Sequence, residues 1–237
     1  MSSNHKIQLF LFLLLSCITG MLNAQSDRNN PFGLRIISTQ KSYDSLVKAD
    51  SNRRLVDLEK YIPGIKLDVR YATTNNFTKK QVYTEPKAYL CLPVAKALKN
   101  VEADLRTRGM GLEIYDAYRP YSATLMFWNL VKDTLFVAAP WQGSRHNRGC
   151  TLDVTLINLN TQKELEMPTE FDDFTIHASV SDIPKSEKAK INRQILIDVM
   201  QKYGFTVMPS EWWHYDFKRW DQYEIMDIPF EKLSMQN

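Results

Sequence analysis

Helical and strand patterns follow one another irregularly along residues 56–237, and this order limits the possible fold more than any other feature of the sequence. Apolar residues at helical spacing predict three helices, starting at Pro93, at residue 121 and after Ser186. Strand-type composition and alternation predict five strands: Ile65–Tyr71, Leu112–Tyr115, Thr151–Ile157, Phe205–Met208 and His214–Phe217. Because helices and strands do not alternate strictly, we expect an α+β fold with a mainly antiparallel sheet flanked by helices, and not a doubly wound parallel sheet.

Residues 56–237 contain no repeat, low-complexity tract or linker, so we predict one domain there. Apolar residues make up 44% of the chain, and 30 Lys and Arg residues against 27 Asp and Glu residues give a net charge of +3, which excludes disordered, collagen and coiled-coil classes. The basic residues are scattered, with no block of five or more, so we expect a small-molecule partner and no nucleic acid.

The first 24 residues have the layout of a signal peptide. A positive residue, Lys6, precedes seven apolar residues, Leu9 to Leu15, and a more polar stretch ends at Ala24. The apolar run is too short for a membrane helix, which needs about 20 residues. We therefore predict a secreted or periplasmic protein that begins near Gln25 and has no transmembrane span. The alternative is a lipoprotein acylated at Cys17.

Two further expectations concern residues 25–55 and the cysteines. The polar segment 25–55 is predicted to be an N-terminal tether or a wrap around the domain. After signal cleavage only Cys91 and Cys150 remain, as buried thiols or as one disulfide in an oxidising compartment. The oligomeric state has no sequence signal.

The first candidate site residues surround His146. This histidine lies in a polar loop, and Asp153 follows it in the middle of an apolar strand pattern. A carboxylate at such a position is costly unless it is paired or coordinates a metal. It could also pair with Arg145 or Arg148, or face solvent beside neighbouring threonines.

A second cluster is Glu211-Trp-Trp-His214, where a carboxylate precedes a histidine by three residues. His146, Asp153 and His214 could form a zinc site with three protein ligands and one open position, which is typical of catalytic zinc. Glu211 would then act as the base. The alternative is that the two tryptophans belong to the core and His214 is a structural histidine. An H-E-x-x-H helix is absent, which excludes thermolysin-like enzymes.

Arg119, His177 and Cys150 are further candidates for a functional role. Arg119, between a predicted strand and helix, could face a developing oxyanion, or it could be a surface charge. His177 is expected to be a structural or surface histidine. The sequence has no G-x-S-x-G motif, and a base for Cys150 would already be occupied by the metal, so nucleophilic catalysis by serine or cysteine is not expected.

Together these segments resemble the VanX-like D-alanyl-D-alanine dipeptidases, zinc enzymes related to the D-Ala-D-Ala carboxypeptidases and the hedgehog zinc domain. The resemblance rests on five segments in the family's order: Arg70-Tyr-Ala-Thr-x-x-Asn-Phe-Thr78, Asp116-Ala-Tyr-Arg-Pro120, Ser144-x-His-x-x-Gly-x-x-x-Asp153, Met167-x-x-x-Phe-Asp172 and Glu211-Trp-Trp-His214. It implies one zinc ion on His146, Asp153 and His214, although related N/O sites accept other divalent metals.

The resemblance also implies roles for other residues. Glu211 would be the general acid/base, and Arg119 would stabilise the tetrahedral intermediate. Ser144 and Asp172 would hold the substrate and its free amino terminus, where a carboxylate supplies the charge opposite to an ammonium group. The stretch between Arg119 and His146 is shorter than in the resistance-associated members, so the resemblance does not define the lid or the substrate selectivity of this chain.

These expectations combine into an exported zinc D,D-dipeptidase that hydrolyses D-Ala-D-Ala in peptidoglycan turnover or D-alanine salvage. Two alternatives stay open. One is a D,D-carboxypeptidase or endopeptidase acting on longer wall peptides, and the other is a non-catalytic zinc module that binds wall fragments or a protein partner.

Overall fold

The computed structural model describes residues 30–234, so the predicted signal peptide and Cys17 lie outside the described part of the chain. Within residues 30–234 the strands are β1 Ile36–Ile37, β2 Leu55–Asp57, β3 Lys66–Leu67, β4 Tyr89–Cys91, β5 Met110–Asp116, β6 Thr151–Asn158, β7 Lys163–Glu164, β8 Phe205–Met208, β9 Glu211–Phe217 and β10 Ile225–Met226. The α-helices of the same residues are α1 Gln40–Ala49, α2 Leu58–Tyr61, α3 Leu92–Arg106, α4 Tyr121–Val131, α5 Glu187–Lys202 and α6 Phe230–Ser234.

The main sheet has the order β3-β5-β6-β9-β8, with β7 paired to the end of β6. The pair β3 and β5 is parallel, and every other pair in this sheet is antiparallel. Two small sheets, β1-β10 and β2-β4, complete the strand pairing of the described residues. The predicted α+β class with a mainly antiparallel sheet is therefore confirmed.

Helices α3 and α5 cover one face of the main sheet and contact each other. Apolar residues spaced for one helical face, including Leu98 and Leu105 of α3 and Leu196 of α5, are fully buried against strand residues such as Leu112 and Ile114. The predicted helix boundaries agree with the structure. Ser186 caps α5, because its side chain accepts a hydrogen bond from the backbone N–H of Ala189.

One predicted strand is wrong over most of its length. The expected strand Ile65–Tyr71 is reduced to β3, two residues at the edge of the sheet, and a 3₁₀ turn follows at Arg70–Ala72. The last backbone hydrogen bond to the sheet is donated by Asp68 N–H to the Ile114 carbonyl at 2.9 Å. The chain then turns inward and buries Tyr71. The predicted strand at His214–Phe217 is present and begins earlier, at Glu211.

The N-terminal segment packs against the rest of the fold from Ile36 onward. Strand β1 pairs in parallel with β10, and Ile37 and Tyr43 are buried in the main core. The Tyr43 hydroxyl accepts a hydrogen bond from the Leu55 backbone at 2.8 Å. Residues 36–49 therefore contribute to the same hydrophobic core as the predicted domain 56–237. No helix within residues 30–234 is both long enough and apolar enough to cross a bilayer.

Cys91 and Cys150 are both buried free thiols, which agrees with the first of the two expectations for them. They lie where β4 meets the start of β6, and the backbone N–H of Cys91 donates to the Gly149 carbonyl at 2.8 Å. Burial raises the pKa of the Cys150 thiol well above its ordinary value. A neutral, inaccessible thiol of this kind is a poor nucleophile.

Gly149 joins the 3₁₀ turn Arg145–Arg148 to β6 at a position that accepts no side chain. Its φ of +63° is left-handed, and an added Cβ would lie 2.5 Å from Leu55 Cδ2. Gly109 has a similar φ of +71° with no atom within 4 Å of such a Cβ. We predict that Gly109→Ala lowers the free energy of unfolding by about 1–2 kcal/mol, and that Gly149→Ala costs about 1–3 kcal/mol more because of the steric overlap.

Urea unfolding of the two variants measures this difference, because both substitutions carry the same left-handed backbone penalty. Equal unfolding free energies for Gly149→Ala and Gly109→Ala would contradict the proposed close packing between Gly149 and Leu55.

Candidate active site

The polar centre of the fold lies where β5, β6 and β9 run side by side. In the antiparallel register Asp153 of β6 is opposite His214 of β9 on one side and Asp116 of β5 on the other. Side chains opposite each other in neighbouring strands point to the same face of a sheet. The strands therefore bring together residues that are distant in sequence.

Three candidate ligand atoms converge at this point. Asp153 Oδ1 lies 3.1 Å from His214 Nδ1 and 3.4 Å from His146 Nε2, and the two histidine nitrogens are 3.3 Å apart. Ligands held at zinc distances in a tetrahedron are about 3.3 Å from one another. Asp153 Oδ1 is buried without a hydrogen-bond partner. These residues therefore match the spacing and the donor types of a zinc site.

The position of the histidine protons also suits a metal. His146 Nδ1 is 2.7 Å from the Ala117 carbonyl, and His214 Nε2 is 3.3 Å from the Asp216 carboxylate. Both partners are acceptors, so each nitrogen carries its proton there. With a metal bound, the other nitrogen of each ring, His146 Nε2 and His214 Nδ1, would present its lone pair to the ion, as in metal-bound histidines.

Electrostatics at the site favour a cation. Burial lowers the pKa of His214, but the carboxylates of Asp153 and Asp216 outweigh burial and raise it to about 10. Burial raises the pKa of Asp153, and the two neighbouring histidines outweigh that effect and lower it. The same negative surroundings that hold a proton on His214 also attract a metal ion.

Asp216 is held by two further side chains. The Thr151 hydroxyl donates to its Oδ1 at 2.7 Å, and Arg145 forms a short ion pair with its Oδ2. The Arg145 guanidinium also lies over the Trp220 ring, 4.6 Å from its centroid. Asp216 thus has one fixed position from which it orients His214. Neither Arg145 nor Arg148 pairs with Asp153, so that alternative is wrong.

Arg119 is buried in the site and is not a surface charge. Its Nε and Nη2 donate to Asp116 Oδ2 at 3.0 and 2.7 Å, and Nη2 lies 3.9 Å from Asp153 Oδ2. The guanidinium lies over the rings of Tyr71 and Phe127. Asp116 receives further hydrogen bonds from Tyr83 and the Ala117 backbone. This network fixes a positive charge next to the candidate metal ligands.

Glu211 stands at the edge of the ligand cluster. Its Oε2 lies 3.5 Å from His214 Nδ1, and its side chain is 22% exposed. Burial is the main cause that raises its pKa above the ordinary value, and Asp153 adds to the shift. A carboxylate with a raised pKa beside an attacking water is suited to accept and return a proton.

Asp172 lines the same pocket as Glu211. Asp172 has a left-handed φ of +59°, and its Oδ2 accepts a hydrogen bond from the Tyr71 hydroxyl at 2.9 Å. Burial, with a contribution from Asp153, raises the pKa of Asp172. A positive group of a ligand would stabilise the charged form of Asp172 against both burial and the charge of Asp153. Non-glycine residues in this conformation concentrate at functional sites.

Ser144 starts the turn that carries His146. Its hydroxyl accepts a hydrogen bond from the His146 backbone at 3.2 Å, and its own backbone donates to Asn147 Oδ1 at 2.6 Å. Ser144, Asp172, Arg119, Glu211 and the candidate ligands line one pocket of about 450 Å³. All seven residues predicted for the site therefore lie around one cavity.

Sequence reasoning missed three residues with a place at the site. Asp116 and Tyr71 lie in segments that carry the family resemblance, which assigns no role to either, and Asp216 lies outside those segments. Asp216 had a usable signal, since residues i and i+2 of a strand share a face and Asp216 follows His214 by two. His177 lies outside the pocket and pairs on the surface with Asp182 at 3.1 Å, as expected of a surface histidine.

Comparison with known proteins assigns the family. The profile of peptidase family M15, described as D-Ala-D-Ala dipeptidase, matches residues 51–228. The chain belongs to this family. The resemblance inferred from the sequence motifs is thus confirmed, and the protein is a hydrolase of a zinc metallopeptidase family.

Curated relatives agree with this family assignment. The D-alanyl-D-alanine dipeptidase of Escherichia coli K12 is 32% identical over 178 residues, 74% of this chain and 91% of that protein. The dipeptidase of Enterococcus faecalis V583 is 32% identical over 180 residues, 67% of this chain and 88% of that protein. The solved LdcB LD-carboxypeptidase overlaps partially, with a TM-score of 0.41 and 19% identity over 76% of this chain and 77% of that chain.

We predict that Asp216→Ala weakens zinc binding about 10–100-fold, because His214 loses the acceptor that fixes its proton on Nε2. Competition with a chromophoric zinc chelator measures the affinity. Asp182→Ala is the matched control, because Asp182 also bonds to a histidine, His177, away from the pocket. Equal zinc affinities for the two variants would argue against the orienting role of Asp216.

Proposed function

We propose that this M15 dipeptidase is an exported enzyme that hydrolyses D-Ala-D-Ala to two D-alanines with one zinc ion per chain. The observation that carries the proposal is the convergence of three ligand atoms, 3.1–3.4 Å apart, beside Glu211 and in the pocket that Asp172 also lines. This arrangement offers a metal site, a base and an anchor for a positive group in one cavity.

His146, Asp153 and His214 are the residues that would hold zinc. Bound zinc supplies Lewis acidity that polarises the scissile carbonyl and lowers the pKa of a nearby water. The proton of the attacking water passes to Glu211, whose raised pKa suits this transfer. Glu211 then delivers the proton to the amine of the leaving D-alanine.

Arg119 stabilises negative charge on the carbonyl oxygen as the tetrahedral intermediate forms. Its guanidinium is already held by Asp116 before substrate binds. Little rearrangement is therefore needed when charge develops, and a fixed donor in a buried site acts more strongly than one in water.

Asp172 binds the ammonium group of the substrate. The Tyr71 hydroxyl keeps one Asp172 oxygen in place and leaves the other for the substrate. A charge-assisted hydrogen bond at this position selects peptides with a free amino terminus. Ser144 contributes a hydroxyl to the same pocket.

The competing function is hydrolysis of longer wall peptides. The pocket of about 450 Å³ is in the size range of sites for drug-sized ligands and exceeds what one dipeptide requires. A D,D-carboxypeptidase has no need of a free amine next to the scissile bond. The position of Asp172 therefore supports the dipeptidase.

We predict that D-alanine release from D-Ala-D-Ala falls about 10²–10⁴-fold in Glu211→Gln, because the proton acceptor is lost, while zinc content stays at one ion per chain. N-acetylation of the substrate should reduce turnover in a similar way by removing the charge that Asp172 binds. Chromatographic measurement of released D-alanine checks both results.

Asp172→Asn separates recognition from chemistry in the same assay. It should raise KM for D-Ala-D-Ala and discriminate less between free and acetylated substrate. Retention of the parent rate on the acetylated dipeptide or on an amino-acylated tripeptide would overturn the dipeptidase proposal in favour of the carboxypeptidase.

The proposed physiological role follows from export. An exported dipeptidase meets dipeptides released by peptidoglycan turnover, so D-alanine salvage fits better than depletion of cytoplasmic D-Ala-D-Ala. Secreted or periplasmic protein starting near Gln25 is the proposed mature form, and acylation at Cys17 is the alternative.

We predict that mass spectrometry of the protein from its native cells finds an N-terminus near Gln25 in the extracytoplasmic fraction. An N-terminal lipid on Cys17 would identify the lipoprotein form. Protein that keeps residues 1–24 and fractionates with cytoplasmic markers would refute export.

A further inference from the structure

A second group of carboxylates lies outside the active-site pocket, at the β3 edge of the main sheet. We call Asp68, Glu113 and Glu164 the edge acidic cluster. One carboxylate oxygen from each residue lies within 4.8 Å of the others. The three residues come from separate parts of the chain, next to β3, on β5 and on β7.

The central member of this cluster has an unsatisfied oxygen. Glu113 is 3% exposed, and its Oε2 is buried without a hydrogen-bond partner. Its Oε1 pairs with Lys66 Nζ at 3.0 Å. Burial is the main cause that raises the pKa of Glu113, and the charges of Glu164 and Asp68 add to it. A buried carboxylate oxygen of this kind needs a hydrogen-bond donor, a proton or a cation as its partner.

The positive charges nearby do not balance the cluster. Arg70 bridges the other two members, with Nε 2.6 Å from Asp68 and Nη2 3.4 Å from Glu164. Within the cluster, Lys66 contacts only Glu113, and the Lys66 side chain is 36% exposed. Three negative groups thus face two positive ones. If Lys66 moved into solvent, a divalent cation together with Arg70 would neutralise the three carboxylates.

We propose that the edge acidic cluster binds one Ca²⁺ ion through Asp68, Glu113 and Glu164, and that the ion replaces Lys66 at Glu113. The donors are all carboxylate oxygens, which favour a hard cation over zinc. Ca²⁺ accepts irregular geometry at 2.3–2.6 Å, whereas Mg²⁺ requires near-ideal octahedral ligands. Partly exposed ligands and competition from Lys66 place the expected Kd at about 10⁻⁴–10⁻³ M, the range of extracellular calcium modules.

Calcium binding is measured on the zinc-loaded protein in buffer freed of divalent ions. We expect titration calorimetry with CaCl₂ to give one site per chain, and 10 mM Ca²⁺ to raise Tm by about 3–10 °C. The same concentration of Mg²⁺ should raise Tm less. If a shared proton satisfies Glu113 instead, Ca²⁺ changes neither the heat signal nor Tm, and the proposal fails.

Three variants locate the site. Glu164→Gln changes an exposed side chain, so it should not affect folding. Glu164→Gln and Glu113→Gln should each weaken Ca²⁺ binding about tenfold or more. Lys66→Met should strengthen binding, because it removes the competing charge. Glu59→Gln is the matched control, since Glu59 is an exposed acid that pairs with Lys87 and lies outside the cluster. An unchanged Ca²⁺ affinity in Glu164→Gln, or a loss in Glu59→Gln, would overturn the assignment.

Discussion

The register of β6 between β5 and β9 is the constraint on which the active site depends. It places Asp116, Asp153 and His214 in one row across three strands. Leu152 and Val154, the neighbours of Asp153, point to the opposite face and are fully buried. A slip of one residue would exchange the two faces and put Asp153 into the apolar layer. The hydrophobic core therefore fixes the position of this candidate metal ligand.

Burial of so many acids in one region requires several compensating interactions. Asp116 is neutralised by Arg119, and Asp216 by Arg145, before any metal is considered. Asp153 has only the two histidines and a distant Arg119 as partners. An unpaired buried carboxylate is strongly destabilising. Asp116 and Asp216 are thus neutralised by arginine side chains, whereas Asp153 depends on positive charge at the two histidines or on a bound cation.

The sequence predicted the residue types of the site better than their connections. An aspartate inside an apolar strand and a Glu-x-x-His cluster each departed from the surrounding pattern, and such departures mark functional residues. Local patterns could not predict that Tyr71 reaches Asp172, because that hydrogen bond spans 101 residues of sequence.

The prediction of a strand at Ile65–Tyr71 was wrong for the same reason, because contacts with residues distant in sequence decide the structure there. Its alternation is real, but only an edge position with two paired residues exists for it. Beyond Leu67 the side chains of Asp68 and Arg70 pair with each other, and Tyr71 enters the aromatic wall of the pocket. Tertiary contacts thus override the local preference for a strand.

The candidate site combines residues on the strands of the main sheet with residues on segments outside the sheet. The candidate metal ligands lie on strands or on a turn fixed by Ser144, whereas the proposed substrate anchor, Asp172, is joined to a second segment by its hydrogen bond with Tyr71. The segment with Tyr71 follows Asp68, and the segment with Asp172 follows Glu164. These two acids belong to the edge acidic cluster, so an ion there would hold the bases of both segments together. Such an ion would act on substrate binding and leave the metal ligands of the sheet in place.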